Sequence, residues 1–385
     1  MTSSHIQTVL ERVYAAAAPE LVDVEAVLRI TDPEDLGQLF GLADRVRQEF
    51  VGDGVLLRGL IEFSNMCRNT CHYCGLNRGN RQLRRYRLTR EEILTAVEQV
   101  RAAGIGTVVL QSGEEDDLDA DWLREIIVEI KSSFDAAVTL SVGERGRAEY
   151  QLWKEAGADR YLLKIETSDP GLYRQLHPGM SFENRIRCLR DLAELGYQTG
   201  SGNIVGLKGQ TTADLARDIQ FFKQGNFDMI SVSPFIPHPQ TPLADEPAGD
   251  LWMTLKMTAL TRIVSRNAHI PATTALGSLL GRDERPKALV AGANVLMPSF
   301  TPARYRRDYE IYPGKRCIAE DAGVCPACME QMVAGIGRWV DYSRGDSLKR
   351  SLKCEVGSLK HVIASEAKQS PIPQIEIASS LRSSQ

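Results

Sequence analysis

Between about residue 55 and residue 300 the chain alternates eight times between an apolar run and an amphipathic segment, and that alternation constrains its fold more than any other feature. The runs that read as buried strands are VLLRGLIEF (55–63), GTVVLQS (106–112), AVTLSVG (137–143) and RYLLKIET (160–167), followed by QTGSGNIVGL (198–207), DMISVSPF (228–235), HIPATTA (269–275) and NVLMPSF (294–300). Helix punctuation separates most of them. Thr89-Arg90-Glu91-Glu92 is a capping-box pattern before ILTAVEQVRAA, with a stop at Gly104, and two later helical patterns stop at Gly157 and Gly196. Strand–helix units in series predict an α/β fold with a parallel sheet. Eight is the number that closes a TIM-type (βα)8 barrel, with a doubly wound open sheet as the alternative.

The expected organisation is an N-terminal helical cap over 1–50, with helices near 6–18 and 33–50 covering the barrel bottom. The barrel occupies 51–312, and a cysteine-bearing C-terminal extension occupies 313–345. The tail, 346–385, reads as poorly ordered because its last 35 residues hold eight serines and little periodicity. Forty-six basic residues against 50 acidic ones give a net charge of −4, which offers no electrostatic ground for nucleic acid or an anionic membrane as partner. No run reaches the roughly 18 to 20 apolar residues of a membrane span, and MTSSHIQTVLERV lacks the basic start and apolar core of a secretory signal. The expected location is cytoplasmic, where clustered cysteines point to metal or catalysis rather than cross-links.

The cysteines are clustered. Cys67, Cys71 and Cys74 form C-x3-C-x2-C directly after the first strand. Three thiolates on a short loop can hold three corners of an inorganic centre, and a four-iron cluster held by three keeps one iron open. Zinc with His72 as fourth ligand is the competing reading. Other polar residues fall at strand ends, where barrel active sites lie: Gln111-Ser112-Gly113-Glu114, the small-residue strand end Gly202-Asn203-Ile204-Val205-Gly206, and Ile236 in PFIPHPQTPL. In the fourth strand, period-two alternation puts Arg160, Leu162, Lys164 and Glu166 on one face and Tyr161, Leu163 and Ile165 on the other. Charges then point into the barrel, where an ordinary core holds Val, Ile or Leu. A polar reaction chamber is expected there, and an internal salt-bridge plug is the alternative.

CRNTCHYC, with Tyr73 before the last cysteine, resembles the cluster loop of the radical S-adenosylmethionine (SAM) enzymes. The resemblance implies an open iron that chelates SAM, and one-electron cleavage of SAM to a 5′-deoxyadenosyl radical. Over roughly 50–330 the segments FSNMCRNTCHYCG, VLQSGEE, TLSVGER, AGADRYLLKIETSDPGLYRQLHP, PFIPHPQTPLA, IPATTALG, AGANVLMP and YEIYPGKRC resemble the radical SAM maturases of FeFe hydrogenase. That resemblance implies a 4Fe-4S cluster on Cys67, Cys71 and Cys74. It places SAM on Gln111, Glu114, Glu166, Arg185 and Ile236, and a substrate chamber lined by Ser112, Thr139, Arg160, Thr273, Thr274, Met297, Tyr309 and Tyr312.

It also implies an organometallic or cysteine-derived substrate, a sister maturase and a GTPase scaffold protein as partners, and a low-potential electron donor. Cys317, Cys325 and Cys328 match positions where that family can carry an accessory 2Fe-2S or 4Fe-4S cluster, with structural zinc as the rival. The chain departs from the family where strand four reads Leu162-Leu163-Lys164-Ile165-Glu166-Thr167 in place of the usual LLRHET, and lysine lacks the guanidinium fork. A methylornithine synthase-like mutase is the alternative within the superfamily, and a non-enzymatic iron–sulfur or zinc scaffold is the alternative outside it.

Overall fold

The computed structural model describes residues 3–316 and 325–350. Three helices come first, α1 (Ser3–Ala15), α2 (Leu21–Leu28) and α3 (Pro33–Val51). Asp32 accepts from the N–H groups of Glu34 and Asp35 at the start of α3, and Pro33 fills the first turn, where no N–H donor is needed. Strands β1 (Gly54–Leu57) and β2 (Gly59–Ser64) follow, then α4 (Arg90–Ala102), β3 (Thr107–Ser112), α5 (Ala120–Ser133) and β4 (Ala137–Ser141). Next come α6 (Arg147–Glu155), β5 (Arg160–Leu162), α7 (Pro170–Leu176), α8 (Phe182–Glu194), β6 (Gln198–Val205), α9 (Thr212–Gly225) and β7 (Met229–Pro234). The chain continues through α10 (Leu251–Ser265), α11 (Arg285–Val290), β8 (Val295–Leu296), α12 (Ala303–Arg306), α13 (Cys325–Ala334) and β9 (Trp339–Asp341). The Thr89–Glu92 capping box forms as expected, and Gly104, Gly157 and Gly196 all take positive φ after their helices.

Among the described residues every ladder between strands is parallel. One sheet runs β2-β3-β4-β5-β6-β7 and the other β8-β1-β9. The expected first strand divides at Arg58, yet its alternation passes straight through the break: Val55, Leu57, Ile61 and Phe63 all join the apolar core. The first unit thus pairs with β8 below and with β3 above. The expected strand 269–275 is present only as bridges, Met229 to His269 and Pro271 to Val295, because Pro271 has no N–H to give a ladder. Those bridges carry the pairing from β7 to β8. The fold is therefore α/β, with parallel strands covered by helices.

The apolar side chains of the strands meet one face of each helix, such as Ile93, Val97 and Val100 of α4 and Leu123, Ile126, Ile127 and Ile130 of α5. Each such burial contributes roughly 1.5–3 kcal/mol. The N-terminal helices pack α2 against α9 and α3 against α10, and α3 also reaches the N-terminal strand ends, where Asp44 pairs with Arg338. α2 escaped the sequence reading because eight residues are too few to display a helical period.

The strand N-terminal ends are crossed by 339–349. β9 pairs with β1, Gly106 N–H donates to Tyr342 O (2.9 Å), Thr107 Oγ1 to Arg344 O (2.8 Å), and Ser347 N–H to Gln198 Oε1 (2.8 Å). The boundary expected at residue 346 falls inside this contacting segment. The rest of the tail lies outside the described residues. Among the described residues no helix is long and apolar enough to cross a membrane.

Candidate active site

The three cysteines stand on the loop between β2 and α4, at the C-terminal end of the strands. Asn65 anchors its start. The side-chain amide of Asn65 donates to Arg84 O (2.8 Å) and Asp308 O (2.6 Å), and its Oδ1 accepts from Tyr86 N–H (2.8 Å). Asn77 Nδ2 donates to Cys74 O (2.8 Å) and Asn80 Nδ2 to Gly75 O (2.8 Å), so short amides serve the carbonyls that no helix or strand serves. Gly113, after β3, passes directly beneath: a Cβ there would lie 2.1 Å from Met66 O and 2.9 Å from Cys67 Cβ. Gly75 is equally constrained, since its Cβ would lie 2.1 Å from Glu310 O. The expected Gly-containing strand end therefore lets two backbones meet under the loop.

Cys67, Cys71 and Cys74 are free thiols of intermediate exposure. Burial pushes the Cys74 thiol up to about 12, and the nearby Cys67 adds to it. Burial also raises Cys71 far above its usual value, with repulsion from Cys74 and Cys67 next. Three mutually repelling thiolates in this setting need a positive centre among them. Among the described residues no three Cys, His, Asp or Glu side chains converge as ligands of a single ion. A four-iron cluster, with each thiolate on a different iron, has no need of that convergence. The donor set fits such a cluster.

Charged side chains adjoin the loop. Glu114 accepts from Arg68 Nε (3.0 Å) and Nη2 (2.8 Å), and its other oxygen accepts from Glu144 N–H (2.8 Å). Arg185, on α8, donates from Nε to Glu144 Oε1 (2.6 Å) and from Nη1 to Lys164 O (2.9 Å). Its charge opposes the upward push on Cys71. Glu166 takes φ +65°, a left-handed conformation costly for a glutamate, and is ion-paired to Lys164 Nζ at 2.9 Å. The lysine found where the family has arginine thus neutralises Glu166. A cleft of about 470 Å³ opens beside Arg68, Glu114, Glu144 and Asn184.

Deeper in the chamber, Gln111 donates to Tyr309 Oη (3.0 Å) and Thr274 Oγ1 meets Tyr312 Oη (2.7 Å). Thr139 and Thr273 are buried, with hydroxyls that have no hydrogen-bond partner among the described residues. Met297 and Ile236 are half-buried, Ile236 just after β7. Ser112 turns onto its neighbour, donating to Gly113 O (2.6 Å).

Arg160 departs from expectation. It is fully buried at the start of β5, bound to Asp346 (2.7 Å), Arg344 O (2.6 Å), Thr107 Oγ1 (3.0 Å) and Gln198 Oε1 (2.9 Å). The alternation put it on the inner face correctly, but at the closed end rather than the cluster end. For Arg160 the salt-bridge plug is the form observed. Of the second triad, Cys317 lies outside the described residues, as does the side chain of Cys325; Cys328 is exposed on α13.

The sequence reading missed several residues. Glu144 follows the expected strand 137–143, a position that barrel geometry alone could have flagged. Glu62 faces inward opposite Gln111 and is ion-paired with Lys315, which also stands 5.2 Å from the Tyr309 ring centroid. His177 accepts from Tyr73 Oη at 2.8 Å and stacks on Tyr173 at 4.1 Å, and only the fold brings these residues together.

A parallel α/β fold with a three-cysteine loop at its strand C-termini defines a radical SAM enzyme, and the Radical SAM superfamily profile matches residues 61–222. The chain is 50% identical over 315 residues to the FeFe hydrogenase maturase subunit HydE of Thermotoga maritima, a match covering 82% of this chain and 90% of that protein. It belongs to the HydE family of radical SAM maturases. Among solved structures, methylornithine synthase matches with a TM-score of 0.76 at 27% identity, over 86% of this chain and 97% of that one. The FeFe hydrogenase maturase HydG shares the fold, with a TM-score of 0.76 at 19% identity over 89% and 77% of the two chains.

Proposed function

We propose that this chain reductively cleaves SAM in the assembly of the organometallic di-iron subcluster of FeFe hydrogenase, and that it does so inside a closed (βα)8 barrel. The observation that carries the reading is the Cys67–Cys71–Cys74 loop, seated over Gly113 and flanked by Glu114 and Arg185, in a chain half identical to a HydE protein. The bridges through His269 and Pro271 support closure. When bound, the 4Fe-4S cluster supplies one electron to SAM and so the 5′-deoxyadenosyl radical.

The chain's own residues bind and orient. Arg185, fixed on its Nε side by Glu144, holds the SAM carboxylate through its remaining donors. Glu114 and Glu166 take the polar groups of SAM, Gln111 lies beside it, and Ile236 packs on adenine. Thr139, Thr273 and Thr274 offer hydroxyls to a cysteine-derived or organometallic substrate, closed in by Ser112, Met297, Tyr309 and Tyr312. Arg160, whose donors are taken by Asp346, Arg344 O, Thr107 and Gln198 at the closed end, takes no part in binding. An accessory cluster on Cys317, Cys325 and Cys328, a sister maturase that supplies substrate, a GTPase scaffold that receives product, a low-potential electron donor and a cytoplasmic location complete the reading.

The test is anaerobic reconstitution with iron and sulfide, then reduction with SAM present. The wild type should form 5′-deoxyadenosine, and Cys67→Ala should form none while remaining folded. Equal product from Cys67→Ala would remove the cluster assignment.

A further inference from the structure

Between Asn65 and Arg90 the sequence places seven arginines and no Asp or Glu. Four of them reach carboxylates elsewhere: Arg68 on Glu114, Arg84 on Asp308, Arg87 on Glu115 and Arg90 on Glu129. Arg78 and Arg81 are exposed. Arg85 differs from all six. Half-buried, it turns under the cysteine loop and gives its donors to main-chain carbonyls alone. Nη1 donates to Asn65 O (2.7 Å) and Leu76 O (2.9 Å), and Nη2 to Asn77 O (2.7 Å) and Asn80 O (3.4 Å).

Those carbonyls come from both ends of the loop, Asn65 before Cys67 and Leu76 and Asn77 after Cys74, so one planar fork ties the two ends together. Among the described residues no carboxylate pairs with Arg85, which leaves its charge unneutralised. That charge acts on Cys67 and Cys74, while Arg185, which acts on Cys71, is already paired with Glu144. A half-buried cation held by carbonyl dipoles is costly to keep, and four hydrogen bonds alone do not require that it be a cation.

We infer that Arg85 is a positioning residue for the iron–sulfur cluster, clamping the cysteine loop and setting with its unpaired charge how readily the cluster is reduced. The inference rests on the cluster reading above. Reduction adds one electron, and hence one negative charge, to the centre held by Cys67 and Cys74. A fixed cation beside those sulfurs favours the reduced form over the oxidised one. The charge is therefore worth a shift in potential, whereas a clamp alone would leave the potential unchanged.

The experiment compares the reconstituted full-length wild type with Arg85→Gln, which keeps donors but loses the charge, and Arg85→Lys, which keeps the charge but loses the fork. Iron and sulfide content report loading, and a redox-poised electron paramagnetic resonance titration reports the midpoint potential. Arg85→Lys should titrate with the wild type. Arg85→Gln should be about tenfold less reduced at the same poise, equivalent to a midpoint ~59 mV more negative for one electron. If Arg85→Gln fails to load, the neutral Arg85→Met supplies the same titration, with the same midpoint shift expected. Equal potentials in wild type and Arg85→Gln overturn the inference, and so does loss of cluster from both Arg85→Gln and Arg85→Lys, which would leave only the fork. A wild type that carries no cluster would refute the underlying reading instead.

Discussion

At the scale of single residues, the site is a set of charges whose partners are already chosen. Glu144 takes one side of Arg185, so the remaining donors are aimed without freedom to swing away. Arg185→Ala should weaken SAM binding by a charge-assisted contact of about 1.5–3 kcal/mol, roughly ten- to 150-fold in Kd, measured by equilibrium binding to the cluster-loaded enzyme. His177 carries a pH signature. Burial, with the charge of Arg185 next, lowers its pKa from 6.5 to about 3, so it stays neutral and accepts from Tyr73. The unfolded chain binds that proton below 6.5 and the folded chain does not. The stabilisation is therefore complete above pH 6.5 and is lost as pH falls toward 3, by about 1.4 kcal/mol per unit. Between pH 7.5 and 5.5 the Tm of the wild type should fall further than that of His177→Gln. The cysteine triad was readable because its spacing is itself the chemistry. Glu144, Glu62 and His177 were not, because each acquires its partner only through the fold.

At the scale of elements, strand-and-helix punctuation was legible wherever a local rule decides it. The Thr89 capping box and the stops at Gly104, Gly157 and Gly196 were all read from one or a few residues. The strand 160–167 was not read fully: regular pairing ends at Leu162, and the chain then twists to place Glu166 at positive φ. The join between α10 and β8 depends on Arg262, which is fully buried and, among the described residues, paired with no carboxylate. It donates to Gly292 O (2.8 Å), Ala268 O (2.7 Å), Asn294 Oδ1 (2.9 Å) and Arg266 O. Burial draws its pKa down to about 9, which still leaves it charged at neutral pH. Replacing it with methionine would leave several buried acceptors unserved, each worth about 1–3 kcal/mol. Arg262→Met should lower the urea midpoint by the equivalent of at least ~3 kcal/mol with the slope unchanged, and a shift under ~1 kcal/mol would show that water serves those carbonyls equally well.

For the whole molecule, the two ends of the strand assembly do different work. The C-terminal end gathers thiols, carboxylates and hydroxyls for chemistry. The N-terminal end buries Arg58 and Arg160 and is spanned by 339–349, whose Asp346 is the carboxylate that meets Arg160. Burial first, and then the like charge of Arg160, hold Arg58 well below the usual guanidinium value, and Asp346 opposes this. The alternation of strand four allowed a plug but could not name its partner, because Asp346 lies far from Arg160 in sequence and meets it only in three dimensions. Asp346 is half-exposed, so its loss should cost about 1–3 kcal/mol rather than the full value of a buried pair. Asp346→Ala should lower Tm while leaving cluster content intact; an unchanged Tm would mean that the segment only rests on the strand ends.

The central claim, that Cys67, Cys71 and Cys74 hold a four-iron cluster with one iron open to SAM, is tested most directly by electron paramagnetic resonance of the reduced, reconstituted enzyme with and without SAM. A four-iron signal should appear that shifts when SAM is added, and Cys67→Ala should lack it. A signal indifferent to SAM, or a SAM-responsive one that survives Cys67→Ala, would contradict the claim.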